Sequence, residues 1–323
     1  MNILICSAGR RVQLVKYFKE ELERVKGKLI AIDCDQAAPA PYFAHIHEVV
    51  PRISHVDYIH VLKRICKKYQ VDALLSLIDP ELTLLADHRE DFEKEGVRLV
   101  LSDKQCIEIC FDKYLTYQVL KENHIPFIPT FHELEKVLAA IERNELSFPL
   151  IVKPRTGSAS IGIQKVDTIT ELKMLIENSD DFIIQPLIVG SEYGVDCYID
   201  MNNHVTTNIF IKKKLRMRAG ETDKSIAVKD QGLTDIIERL VRVLKPIGPI
   251  DVDCFKTEKG FVISEINPRF GGGYLHAHEM GQNFPKNIIN NLYGQVIEPT
   301  IGNYPEGSLL VKFDDYKFIE TSR

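Results

Sequence analysis

Residues 251–274 read DVDCFKTEKGFVISEINPRFGGGY, and this stretch decides the fold. Two β-rich runs, Ile250–Lys256 and Gly260–Ile266, flank a tight Thr-Glu-Lys-Gly turn, the pattern of a β-hairpin. Glu265 and Asn267 stand two apart, so on a strand they project from one face, and Asp253 opposes them across the turn. Two carboxylates and an amide are oxygen-only donors. That set suits Mg²⁺, a hard cation that keeps waters and shares its shell with substrate phosphates. An ordinary polar strand face would also carry acids. Context favours the metal: Glu265 follows the apolar run Phe261–Ile263, and Pro268-Arg269 closes the strand beside a triple glycine.

Upstream lie three segments with related chemistry. Phe148–Gly162 (FPLIVKPRTGSASIG) is a strand that delivers Lys153, then a Gly/Ser loop running into another strand. Lysine offers phosphate oxygens a point charge, and small residues let backbone N–H groups close over them. The terminal Gly-Lys-Ser/Thr of a Walker loop is missing. Phe182–Asp196 (FIIQPLIVGSEYGVD) is a strand, a proline-containing connector and a new strand. Its backbone groups can read a base edge, and Glu192 can accept hydrogen bonds from ribose hydroxyls. Lys212–Arg218 (KKKLRMR), followed by AGETDKS, is a basic strand entering a polar loop. It can supply cations to a triphosphate and to an acidic substrate.

The first third alternates apolar strands (Asn2–Cys6, Lys28–Asp33, Asp72–Ser76, Val97–Leu101) with helices, among them one over Pro80–Lys94. Continuous apolar strands between helices predict a parallel sheet covered on both faces. Ligands of such sheets sit at the strands' carboxyl ends, here Ser7–Arg11 and Asp33–Asp35. The class is therefore α/β followed by α+β. The 323 residues carry 41 Lys+Arg against 46 Asp+Glu, a formal charge of −5. No basic excess exists for holding nucleic acid, and no apolar run is long enough to span a membrane. Seven scattered cysteines without a CxxC pair, and a start that passes from a short apolar run straight into arginines, predict a cytoplasmic protein with free thiols.

The order of these segments resembles the ATP-grasp superfamily. In sequence come Asp112-Lys113, the Lys153 strand with its loop, the Gln185–Glu192 connector, the basic strand, and the Asp…Glu-x-Asn hairpin. EINPRFGGGY is similar to carbamoyl-phosphate-synthase-large-subunit-like ligases, a group that includes the pyrrolysine-pathway amino-acid ligase. ILICSAGRRVQLV and IAIDCD resemble the sheet domain that precedes the grasp there. The resemblance implies an N-terminal pre-ATP-grasp domain over 1–110. A two-lobed ATP-grasp domain would follow over 111–300, with lobes at about 111–187 and 188–300, and then a packed tail over 301–323.

It also implies roles. Lys113 and Lys153 would contact ATP phosphates under a loop of Gly157, Ser158, Ala159 and Ser160. Gln185, Pro186 and Leu187 would meet adenine, and Glu192 the ribose. Asp253, Glu265 and Asn267 would hold Mg²⁺ or Mn²⁺, although the first position is often Glu or Gln. Arg269 would steady the transferred phosphoryl group, while Lys214, Arg216 and Arg218 compete for one role at the triphosphate. Arg10, Arg11, Gly272, Gly273 and His276 are candidate substrate contacts. The implied activity is an ADP-forming carboxylate–amine ligase, with a homodimer expected. Two alternatives are a non-catalytic nucleotide-binding regulator and an NAD(P)-dependent oxidoreductase. The second is disfavoured because SAGRRV has one glycine where the dinucleotide fingerprint wants three.

Overall fold

The computed structural model describes residues 1–157, 162–177 and 181–319. Its first part comprises β1 (Asn2–Cys6), α1 (Val12–Arg24), β2 (Lys28–Asp33), β3 (Ile46–Val49), α2 (Tyr58–Tyr69), β4 (Ala73–Ser76), α3 (Asp79–Asp87), α4 (Arg89–Lys94) and β5 (Arg98–Leu99). The strands pair in parallel in the order β3-β2-β1-β4-β5. Ile3, Leu4, Ile5, Leu29, Ile30 and Leu74 are fully buried, which is why these strands read as unbroken apolar runs. Strand order reverses beside β1, and its carboxyl end, Ser7–Arg11, is the sheet's natural ligand edge. The sequence misses β3, whose His47 and Glu48 mask an edge strand. The helix expected over Pro80–Lys94 is interrupted at His88, and the strand expected over Val97–Leu101 pairs only at Arg98–Leu99.

The chain continues through α5 (Lys104–Phe111), α6 (Lys113–Glu122), α7 (Leu134–Glu142), β6 (Leu150–Pro154), β7 (Gln164–Val166), α8 (Ile169–Ile176) and β8 (Phe182–Pro186). The three strands form an antiparallel sheet ordered β7-β6-β8, with its own core around Val137, Leu150, Leu172 and Ile184. Asp112 caps α6 by accepting the Tyr114 and Leu115 N–H groups at 3.0 Å each, satisfying donors that the first helical turn leaves free.

Then follow β9 (Ser191–Ile199), β10 (Thr206–Arg218), β11 (Glu221–Val228), α9 (Gln231–Leu244), β12 (Gly248–Thr257), β13 (Gly260–Asn267), α10 (Tyr274–Glu279), α11 (Phe284–Leu292) and β14 (Leu309–Val311). They build an antiparallel sheet ordered β13-β12-β9-β10-β11-β14. The polar loop expected after the basic run is instead a hairpin. It turns at Ala219 and Gly220, both at positive φ, as a two-residue hairpin turn demands. Thr222, Asp223 and Ser225 of β11 are buried, so hydropathy alone conceals that strand. One hydrophobic cluster joins the N-terminal unit (Leu14, Phe18, Leu75) to the six-stranded sheet and its helices (Tyr198, Phe210, Phe270, Phe284).

Candidate active site

On the hairpin of β12 and β13, Asp253 stands directly opposite Glu265, and Asp251 opposite Asn267. Strand β9 adds Asp196 opposite Asp251 and Gly194 opposite Asp253. Lys212 of β10 lies opposite Gly194. Alternation of side chains therefore puts acids from three strands and two lysines from a fourth on one face. Gly194 makes this possible. A Cβ there would sit 3.1 Å from Lys212 Cε and 3.3 Å from Lys214 Cε, so its absence lets both stems cross β9. Lys212 is buried in an ion pair with Asp196. Lys214 Nζ lies 2.7 Å from both Glu192 Oε1 and Asp253 Oδ1.

This face forms one side of a cleft of about 570 Å³. The three-stranded sheet supplies Lys153, Gln185, Pro186 and Leu187 to the cleft, and the carboxyl end of β1 supplies Ser7–Arg11. Glu192, Asp253, Glu265, Asn267, Arg269 and Gly272 line it too. Lys153 and Glu265 thus share one cavity. Lys113, at the start of α6, donates through Nζ to Gly157 O at 2.5 Å, and Arg155 binds the Asp112 carboxylate with Nε and Nη2. These bonds tie the helix start to the segment entering the Gly/Ser loop. Ser158, Ala159 and Ser160 lie outside the described residues.

Burial dominates the electrostatics. It pushes the Lys153 ammonium down to about 8, with Glu265 opposing the shift and Lys113 adding to it. It pushes the Glu265 carboxyl up, Lys113 and Lys153 countering it and Asp253 reinforcing it. For Lys214 burial pulls downward, but Asp253 and Glu192 outweigh it and hold the ammonium well above its ordinary value. Glu265 thus remains short of positive charge even beside two lysines. Among the described residues no cluster of three or more Asp, Glu, His or Cys is arranged to hold a metal. The candidate set is accordingly two carboxylates and an amide. Its register and its desolvated, half-buried Glu265 fit Mg²⁺, which needs few protein ligands when phosphates complete the shell.

Arg269 donates from Nη2 to Asp79 Oδ2 at 2.6 Å and to Asn267 Oδ1 at 3.1 Å, and from Nη1 to Phe270 O at 3.0 Å. Its buried Nε has no hydrogen-bond partner among the described residues. At the same end of the cleft, Arg11 Nε lies 3.4 Å from Glu221 Oε1. Of the three competing basic residues only Lys214 reaches the acids of the cleft. Arg216 and Arg218 face Asp223, and Arg218 also Asp314. The Leu187 N–H is already donated to Pro149 O at 3.2 Å, leaving its carbonyl as the group to offer a base.

Gly273 and His276 sit behind the cleft lining. A Cβ on Gly273 would meet Lys212 Cε at 2.6 Å. His276 is buried, with Nδ1 2.8 Å from Ser225 Oγ, and burial pushes its imidazole down to about 4. The pair His276/His278 lies on a helix, and the His278 ring stacks on Tyr17, so the two do not share a strand face. Asp33 accepts the Gly9 N–H of the β1 loop on Oδ2 at 2.7 Å and the Asp35 N–H of its own turn on Oδ1 at 2.9 Å, so both its oxygens are engaged by backbone rather than awaiting a ribose.

Sequence reasoning missed Asp196, Asp251, Gly194, Asp79 and Glu221. Asp251 had a signal, standing two before Asp253 on the same strand. Asp79 and Glu221 had none, since only tertiary packing brings them to Arg269 and Arg11.

The family described as PylC-like, N-terminal domain matches residues 3–100, and the ATP-grasp domain family matches residues 110–273. The chain belongs to the ATP-grasp family. ATP-grasp enzymes are ligases that join a carboxylate to an amine and use ATP with Mg²⁺. This ATP-grasp chain is 23% identical over 295 residues to formate-dependent phosphoribosylglycinamide formyltransferase of Flavobacterium psychrophilum, covering 83% of this chain and 70% of that protein. It is 28% identical over 219 residues to D-alanine–D-alanine ligase of Francisella tularensis subsp. novicida, covering 60% and 72%. Its fold is similar to N5-carboxyaminoimidazole synthetase of Staphylococcus aureus solved with ADP. That likeness has a TM-score of 0.72 and 20% identity, over 92% of this chain and 78% of that one. Biotin carboxylase of Campylobacter jejuni is also similar, with a TM-score of 0.75 and 14% identity over 95% and 74%.

Proposed function

We propose that this enzyme phosphorylates a small carboxylate, an amino acid or a sugar acid, with ATP, and joins the resulting acyl phosphate to an amine. The observation that carries this reading is one cleft lined by Lys153 and Glu265 together with Arg10, Arg11 and Arg269. Lys153 and Lys113 would neutralise triphosphate oxygens, with Gly157–Ser160 closing over them. Gln185–Leu187 would flank the base, and Glu192 would take the ribose. Asp253, Glu265 and Asn267 would hold Mg²⁺, or Mn²⁺ in its place, which neutralises phosphate charge when bound.

In the first step a carboxylate oxygen attacks the γ-phosphorus and the bond to the β-phosphate oxygen breaks, so ADP leaves. Such transfers need positioning and charge neutralisation more than a covalent nucleophile. Arg269, which Asp79 holds through its Nη2 and which lines the cleft, would steady the transferred group. In the second step the amine attacks the acyl carbonyl, phosphate departs with the C–O electron pair, and the nitrogen loses a proton. The free thiols of all seven cysteines support a cytoplasmic reading. The expected homodimer is checked by sedimentation. No described helix is long and apolar enough to cross a membrane.

The test is product analysis across pairs of amino acids, sugar acids and amines. ADP and phosphate should appear only with a matched pair, and AMP would exclude the acyl phosphate. Glu265→Ala should reduce turnover to background, because the Mg²⁺ that would offset the triphosphate charge would lose a carboxylate ligand. A variant that keeps its activity would remove Glu265 from the metal set.

A further inference from the structure

The segment after Glu306 enters no step above, yet it reaches the acceptor end of the cleft. Gly307 N–H donates to Ala227 O at 2.9 Å, β14 pairs along β11, and Lys312 N–H donates to Asp223 O at 2.9 Å. The segment is therefore zipped along the β10–β11 hairpin almost to its tip. There alternate side chains part: Leu309, Val311 and Phe313 face solvent, whereas Lys312 turns inward. Its Nζ lies 3.0 Å from Glu221 Oε2 and 2.9 Å from Gly272 O. The other Glu221 oxygen holds Arg11, and a Cβ on Gly272 would come within 2.9 Å of Glu221 Cγ. One ammonium thus ties the hairpin tip to the Gly-rich loop and, through Glu221, to the β1 loop. Arg11, Glu221 and Gly272 all line the cleft.

An exposed lysine would gain little from an ion pair, since solvent screens it and ordering the long side chain costs entropy. The Lys312 side chain is only 17% exposed, and it makes two directed bonds to parts of the chain 91 and 40 residues away. We propose that Lys312 is a positioning residue for the acceptor end. By holding Glu221 between Gly272 and Arg11, it fixes the shape and charge that the carboxylate substrate meets, and it leaves the nucleotide end unaffected. The substrate part of this inference rests on the ligase reading, whereas the contact itself does not.

The experiment compares Lys312→Met and Lys312→Arg with the wild-type full chain. Hydrogen exchange is followed at residues 217–222 and 271–273, and Mg·ADP affinity is measured by calorimetry. In the Met variant, exchange at the hairpin tip should rise about fivefold or more, with Mg·ADP affinity within about twofold of wild type. With a carboxylate found by the pair screen, its KM should rise about tenfold while the KM for ATP stays level. Arg, which keeps the charge and the donors, should restore most of both effects. Unchanged exchange, or an Mg·ADP affinity that falls as far as the acceptor's, overturns the proposal. If no pair supports turnover, the ligase reading fails, and the exchange and calorimetry still decide the role of Lys312.

Discussion

A lysine proposed to bind phosphate in a desolvated cleft faces a conflict, and Lys153 shows what that environment does to its charge. Desolvation lowers its affinity for a proton from the ordinary 10.5 to about 8, despite the nearby Glu265 carboxyl. Phosphate oxygens arriving in the cleft would reverse that shift, because an anion favours the charged form. The sign follows. Below pH 8 the free protein already carries the proton, and nucleotide binding draws full benefit from the charge. Above pH 8 the proton must be taken up on binding, so affinity declines by up to about tenfold per unit until the bound-state value is reached. Calorimetry with Mg·ADP at pH 8.5, in buffers of different ionisation enthalpy, should register proton uptake that Lys153→Met abolishes. Absence of uptake in the wild type would mean that Lys153 does not meet the phosphates. The same shift acts on stability with its own sign. Between about 8 and 10.5 the unfolded chain holds more protons at this site, so raising the pH through that window stabilises the fold.

Among the elements, the Gly-rich loop after β13 illustrates how a motif can be legible while its reason is not. The sequence suggests that Gly272 and Gly273 meet substrate. In the fold only Gly272 lines the cleft, and the run is small because charged side chains press against it. A Cβ on Gly271 would lie 2.3 Å from Asp251 Oδ1 and 2.4 Å from its Cγ. Gly271→Ala should therefore displace a buried carboxylate and cost about 1–3 kcal/mol, the range for overpacking, read as an earlier midpoint in urea. An unshifted midpoint would show that the loop has room to spare. The hairpin of β12 and β13, the Lys153 strand and the N-terminal strands β1, β2 and β4 were readable because alternation or unbroken apolar runs mark them, whereas β3 was not. Strand β11 was not either, since an ion pair to Asp223 and a hydrogen bond to Ser225, rather than apolar area, justify burying these two residues. The roles of Asp196 and Lys212 were hidden for a related reason. Nothing in a linear sequence says that a lysine and an aspartate from neighbouring strands will be buried against each other beneath a cleft.

At the scale of the whole molecule the cleft exists only because the N-terminal unit is held against the six-stranded sheet. The shared hydrophobic cluster supplies the area. Polar ties fix the alignment: Tyr17 with Glu279, Asn283 Nδ2 to Glu21 Oε1 at 2.8 Å, Arg11 with Glu221, and Arg269 with Asp79. The last is the most exacting, since the side chains are only 11% and 8% exposed and stand 190 residues apart. Burial disfavours the Arg269 charge, and Asp79 more than offsets this. Removing one partner of such a pair leaves the other uncompensated, typically at about 3–5 kcal/mol, whereas replacing both with apolar residues is far less damaging. Asp79→Ala should therefore lower the unfolding free energy by an amount in that range and abolish turnover. The double variant Asp79→Ala/Arg269→Met should recover much of the stability and none of the activity. Urea denaturation of the three proteins beside an ADP-release assay separates the two effects. If the double variant were as active as the wild type, Arg269 would serve only to dock the N-terminal unit, and the phosphoryl-steadying role assigned to it would be lost.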